Sequence, residues 1–213
     1  MTQARRRPPL PREFIEEHRR RTYVVAAAEL AQESGIHALT VTNLCQRAQS
    51  ARNTFYDHFR NVDDCLRLGI REGFDRLFGP VLQIAEEDEE EWLARVDRAV
   101  GGLYGAVAEE PTLAELVLVH SFGVPSEAGD LRYEDGVAAI ERLLAQGRRE
   151  TLGPIEPMPL AESYLAGVIL SLATLKLRQG EAPALPAETR EMTLLVGAVY
   201  LGIEQTAVLY SPK

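Results

Sequence analysis

Apolar residues recur along this chain at the i, i+3, i+4 spacing of an amphipathic helix, and the pattern divides it into an all-α series of elements. Val24, Ala27, Leu30 and Ala31 mark the inner face of a first helix over 11–34, with Pro11 suited to its start and Gly35 to its stop. Val41, Leu44, Cys45 and Ala48 give a second, short helix over about 41–48, and Thr40 is placed to cap it. A turn at Gln49-Ser50 leads into the stretch 48–59. Read as a helix, that stretch puts Phe55 and Phe59 on one face and spreads Arg52, Asn53, Thr54, Tyr56 and His58 over the rest. Two short helices closely linked behind a longer one form a helix-turn-helix.

The pattern then lengthens. Leu66, Ile70, Phe74, Leu77 and Phe78 stripe a linking helix over 63–79, with Asp63 and Asp64 at its positive end and Gly79-Pro80 expected to end or kink it. Trp92, Val96, Val100, Leu103 and Val107 face inward from a helix over 92–108. A further helix is expected over 111–122, and another over 126–150 carrying Leu131, Val137, Ile140, Leu143 and Leu144. Two mostly apolar helices, 160–179 and 187–210, close the chain, separated by Gly180 and the Pro183/Pro186 linker. The first holds Tyr164, Leu165, Val168, Ile169, Leu172 and Leu175; the second holds Leu194, Leu195, Val199, Leu201, Val208 and Leu209. Helices apolar nearly all round must be buried, within the monomer or in an interface.

Charge sharpens this division. The chain of 213 residues has a net charge of −9, which alone argues against a polyanionic partner. Residues 1–60 nevertheless sum to +4 and residues 61–213 to −13. A basic head on an acidic body confines any DNA contact to the head. Donor-rich side chains on a helix with an apolar back suit phosphates and base edges. Residues 1–11, rich in Arg and Pro, read as a flexible basic arm able to reach a groove. No apolar signal core follows Arg5-Arg6-Arg7, and no run approaches the roughly 18 apolar residues of a membrane span, so no membrane contact and a cytoplasmic location are expected.

Chemistry is sparse. Cys45 and Cys65 lie too far apart for a CxxC or a metal-ligand pair and read as one buried small side chain and one helix residue. The acidic run 86–91 reads as a solvated segment. The four histidines, His18, His37, His58 and His120, fall in no HExxH motif, and no Gly-rich phosphate loop or GxSxG is present. The expectation is a protein without catalytic residues, metal or cofactor.

The run Tyr23-Val24, Ala26-Ala27, Leu30, Gly35, Thr40-Val41, Leu44-Cys45, Ala48, Thr54-Phe55-Tyr56 and His58-Phe59 resembles the N-terminal domain of the tetracycline-repressor-like (TetR) family of bacterial transcription regulators. The resemblance covers about residues 14–66 without a gap. It implies an all-helical homodimer, a ligand-released repressor whose variable body pairs two copies through the last two helices. Its DNA partner would be a pseudo-palindromic operator. It divides the chain into the arm 1–11, a DNA-binding domain 12–62 and a ligand-binding and dimerisation domain 63–213. Arg52, Asn53 and Thr54 are then expected at bases, and Thr40, Thr42, Arg47, Tyr56 and His58 at phosphates. An unknown small molecule, apolar or mildly polar, would be held by Phe74, Phe78, Trp92, Tyr104, His120, Phe122 and Tyr164.

The chain departs from the family pattern at Gln49-Ser50-Ala51, where Gly-Val-Ser is common, so that Ser50 is expected to supply the cap. It also has Val62 where a phosphate-binding Lys is usual, leaving Arg60 or Arg67 to substitute, and Asn53 where glycine is common. The alternatives are a helical interaction protein whose DNA head has lapsed, an activator of the same family, or a regulator that senses oxidation through Cys45 or Cys65.

Overall fold

The computed structural model describes residues 12–87, 91–124, 133–150 and 159–209, and every regular element among them is helical. Contacts divide the chain into a unit Met1–Gly69 and a unit Ile70–Lys213. The first turns of the linking helix therefore pack with the head. The arm 1–11, part of the acidic run, and the segments 125–132 and 151–158 lie outside the described residues, and with them the expected inward position of Leu131.

In the first unit, α1 spans Arg12–Ser34, α2 Val41–Arg47 and α3 Arg52–Tyr56, and α4 begins at Val62. Residues 13–22 of α1 are exposed, including Arg19, Arg20 and Arg21, and burial begins at Tyr23. Val24, Ala27 and Ala31 are buried there, as are Leu44, Cys45, Phe55, Phe59, Cys65 and Leu66. Both cysteines are buried. The Asn61 side-chain oxygen accepts the Asp64 N–H at 2.8 Å and caps α4.

In the second unit α4 runs on to Ala85, past the stop expected at Gly79-Pro80. Proline removes one hydrogen bond, but buried Val81, Ile84 and Ala85 continue the apolar stripe, and that burial outweighs the loss. The end of α4 is closed from outside. Gln146 Nε2 donates to the Ala85 carbonyl at 2.7 Å, and the buried Arg95 guanidinium donates to the Glu87 carbonyl and, at 2.7 Å, to Gln146 Oε1. A cation is well placed at these orphan carbonyls.

Helix α5 spans Trp92–Glu109, and all five of its expected inward residues are buried. The Trp92 ring lies against the backbone of Gly147, where a Cβ would collide with it, and its Nε1–H donates to the Leu143 carbonyl at 2.8 Å. The single helix expected over 111–122 is instead three pieces. These are α6 (Pro111–Glu115), a π-helical turn Leu116–His120 and a 3-10 turn Ser121–Gly123. Helices α7 (Tyr133–Glu150) and α8 (Ala161–Arg178) follow, then a 3-10 stretch Ala182–Glu188. The last expected helix breaks at Gly202, whose φ of 81° no helix accommodates, into α9 (Thr189–Leu201) and α10 (Ile203–Leu209). Thr206 of α10 packs against Gly197 of α9.

The body core joins Phe74, Phe78, Trp92, Tyr104, Ile140, Leu143, Ile169 and Val196 among others. At its edge Arg148 holds the Glu162 carboxylate with two N–H···O bonds of 2.6 and 2.8 Å, and the Tyr200 hydroxyl donates to the same carboxylate at 3.0 Å. The Arg148 guanidinium keeps the Glu162 carboxyl below its ordinary range, with the Tyr200 bond acting in the same direction. A depressed folded-state pKa adds stability above the ordinary carboxylate value of about 4.3, and that stability is lost as pH falls below it. Thermal melts at stepped pH should therefore show Glu162→Gln less stable than the parent at pH 7, with the gap narrowing through pH 4 and below. A gap independent of pH would mean the ion pair contributes nothing.

Candidate nucleic-acid interface

Thr40, Thr42, Arg52, Asn53 and Tyr56 are exposed side chains on or beside α2 and α3, and Thr54 is half-buried among them. Thr40 is the N-cap of α2, as expected. Its hydroxyl oxygen accepts the Asn43 N–H at 3.2 Å, and Asn43 Oδ1 accepts the Thr40 N–H at 2.8 Å. This reciprocal capping box was readable as Thr40-x-x-Asn43, a variant of the usual pattern ending in Glu or Gln. Asn43 Nδ2 also donates to the Ala38 carbonyl at 3.0 Å, which fixes the chain entering α2.

The turn carries the local strain. The Ser50 N–H bonds to the Cys45 carbonyl at 2.9 Å and the Gln49 N–H to the Gln46 carbonyl at 3.2 Å. That is a Schellman closure of α2, with Gln49 in the left-handed position at φ 49°. Glycine is the usual occupant, and an L side chain there costs roughly 1–2 kcal/mol. Gln49→Gly should raise head stability by about 1 kcal/mol once the greater freedom of the unfolded glycine is subtracted. Denaturant unfolding followed at head amides would measure it, and a destabilised variant would mean the glutamine side chain contributes a contact.

Ser50 does not cap α3, contrary to expectation. Ala51 stands at the N-cap without a side-chain bond, and the Ser50 hydroxyl instead pairs with the Tyr23 phenol at 2.6 Å. Burial pushes the Tyr23 phenol up from its ordinary pKa, and the bond to Ser50 partly opposes it. Tyr23 also packs edge-on against Phe55 and Phe59, with ring centroids 5.3 and 5.9 Å away. The turn and α3 are thus fastened to α1 by one tyrosine.

Two expected phosphate residues have other places. Arg47 donates to Glu29 at 3.0 Å and to Glu33 at 2.6 Å, bracing α2 against α1. His58 sits half-buried beside the Tyr23 and Phe59 rings, with its Nε2 shielded from solvent. At the start of α4, Arg60 and Arg67 both reach Asp64, at 3.0 and 3.8 Å.

The residues expected around an effector do not gather at one cavity. Phe74, Phe78, Trp92 and Tyr104 are core, and the Tyr104 hydroxyl donates to the Ile169 carbonyl at 3.2 Å. Burial raises the Tyr104 phenol well above its ordinary range. His120 ends the π turn with Nε2 3.9 Å from Glu115. Phe122 is 66% exposed, with its ring tilted against that of Tyr133 at 5.0 Å, and Tyr164 is 59% exposed on α8. An apolar cavity of about 10 Å³ lies between Val81, Val100, Leu103, Ile140, Leu144 and Ile169. That is room for one water-sized sphere. Among the described residues no cluster of three metal-ligating side chains occurs, and no helix is long and apolar enough to cross a membrane.

Residues 24–68 match the family model of bacterial regulatory proteins of the tetR family. Over these residues the chain is similar to the tetR family. The matched residues hold the second half of α1, α2, α3 and the start of α4, the helix-turn-helix just described. No curated protein matches. Among solved structures, the fatty acid degradation regulator FadR from Bacillus halodurans is 17% identical with a TM-score of 0.65, covering 89% of this chain and 96% of that one. The tetR-family regulator PfmR from Thermus thermophilus is 15% identical with a TM-score of 0.67, over 82% of this chain and 92% of that one. FadR from Bacillus subtilis, solved with stearoyl-CoA, is 17% identical with a TM-score of 0.60, over 86% of this chain and 98% of that one. At such identities the shared property is the fold.

Proposed function

We propose that this chain is a regulator of the tetR type, a homodimeric repressor released from a pseudo-palindromic operator when a small apolar molecule enters the body. The observation that carries the pairing is the outer face of the last helices. Tyr164, Val168 and Leu175 on α8, Leu195 and Val199 on α9, and Ile203 and Val208 on α10 are all exposed in the single chain. They lie opposite the stripes that fill the core, and a second copy would cover them. Two heads held by such a pairing match two half-sites.

Within each head Arg52, Asn53 and Thr54 meet bases, Asn53 being suited to adenine. Tyr56, Thr40 and the turns around them meet the backbone. Arg47 stays with its two glutamates. The closed Schellman turn favours a working head over a lapsed one, because the missing glycine has not opened it.

The effector reading rests on the core seam, whose lining is wholly apolar. B. subtilis FadR binds stearoyl-CoA, and an acyl chain is the kind of molecule such a lining accepts. The seam is nearly filled here, so the ligand must favour an opened state that releases DNA. Fatty acyl-CoAs of graded chain length, screened by thermal shift, should raise the melting temperature and lower operator affinity together. The deciding measurement titrates the dimer against DNA upstream of its own gene at two salt concentrations. A site bound more tightly than random duplex is expected, with affinity falling steeply as salt rises. Absence of such a site sinks the reading.

A further inference from the structure

Thr42 and Arg52 stand on the two helices joined by the strained turn, and they touch. Arg52 Nη2 donates to the Thr42 hydroxyl oxygen at 2.9 Å, and both residues are exposed. An exposed arginine ordinarily samples many rotamers. This one is tethered, and its tether is a β-branched side chain with a stiff χ1. The tether is also neutral. Arg47 is taken up by Glu29 and Glu33, and Arg60 by Asp64, whereas the partner of Arg52 is a hydroxyl. Its charge is therefore not offset by a carboxylate. The bond uses one of five N–H donors and leaves the planar fork able to present two parallel donors. Two such donors are what guanine O6 and N7 accept in the major groove.

We propose that Thr42 is a positioning residue that sets the Arg52 guanidinium to read a guanine in each half-site. The proposal rests on the DNA-binding reading of the head, and it moves Thr42 from the backbone contacts to the base-reading apparatus. Thr42 acts through Arg52, so its substitution changes which base is chosen more than how tightly DNA in general is held.

The test is selection of a randomised duplex pool by the full-length protein, followed by sequencing and by titration of single-base variants of the enriched site. The parent should enrich a guanine at one position of each half-site, with a preference of about tenfold or more over other bases. Arg52→Ala should lose that preference there and nowhere else. Thr42→Val keeps the side-chain shape and removes the hydroxyl. It should cut the same preference to within about threefold, leaving the affinity for random duplex and its salt dependence unchanged. Thr42→Ser should restore it. An unchanged preference in Thr42→Val overturns the proposal. So does a uniform loss across all sequences with a shallower salt slope, since that is the signature of a phosphate contact. A parent protein that enriches no sequence would overturn both this proposal and the DNA-binding reading beneath it.

Discussion

Phe55→Ala should detach the recognition helix and abolish operator binding. Helix α3 has five residues, too few to persist by its own hydrogen bonds. Its position comes from side chains, and Phe55 is the central one. Phe55 is fully buried, meets the Tyr23 ring edge-on at 5.3 Å and lies 5.4 Å from Phe59. Truncation of such a residue removes apolar burial and leaves a cavity, costing about 3–5 kcal/mol. That is a large share of the stability of a small helical unit. Hydrogen exchange should show head amides losing protection while the amides of α5, α7 and α8 keep theirs. DNA titration should show no specific site. The neighbouring residue is the control. Tyr56 is 56% exposed, with its ring edge-on to Phe55 at 5.5 Å, so Tyr56→Ala should cost no more than about 1.5 kcal/mol, well below the cost of Phe55→Ala, while still weakening operator binding. A Phe55→Ala protein with intact head protection would mean that α3 is held by something other than this aromatic cluster.

The same cluster shows why the head was legible in the sequence. Phe55 and Phe59 sit four apart, Thr40 precedes an apolar run, and Gly35 follows one. These are local signals, and local geometry satisfied each of them. Ser50 was misread for an equally physical reason. A serine before a helix is a good cap by rule, but its real partner, Tyr23, lies 27 positions away, where no spacing rule reaches. Arg47 and His58 likewise have partners that no spacing rule reaches. Both are donors on a basic head, yet one meets two glutamates of α1 and the other turns inward toward the aromatic rings.

In the body, helix existence was readable and so were the ends of α5 and α8, but the end of α4 was not. Pro80 was expected to end or kink α4, but the burial of Val81 and Ile84 carries the helix through to Ala85. The effector residues were the least legible of all. Aromatic residues at helical spacing look alike whether they fill a core or line a pocket, and Trp92 and Tyr104 fill the core with their polar atoms bonded to carbonyls. Phe122 and Tyr164, with the same composition signal, face outward.

That outward face leads to the other large expected effect, loss of the proposed dimer in Leu175→Glu combined with Leu195→Glu. Both leucines are about half exposed in the single chain, on the outer faces of α8 and α9. A carboxylate there costs the monomer little, since it remains in water. Pairing of two copies through this face would bring four carboxylates into an apolar contact. Like charges taken out of water without partners are strongly unfavourable. Sedimentation equilibrium should therefore report a folded monomer, with helical content and body hydrogen-exchange protection close to the parent. The consequence for DNA follows from linkage of two heads. A pair that binds both half-sites gains roughly 10²–10⁴ in affinity over one head alone. The variant should lose a factor of that size on the full operator and almost nothing on an isolated half-site, because each head is unchanged. Comparing the two DNA lengths separates lost pairing from a damaged head. A variant that remains dimeric would place the interface elsewhere on the body and leave these exposed side chains without the partner assigned to them.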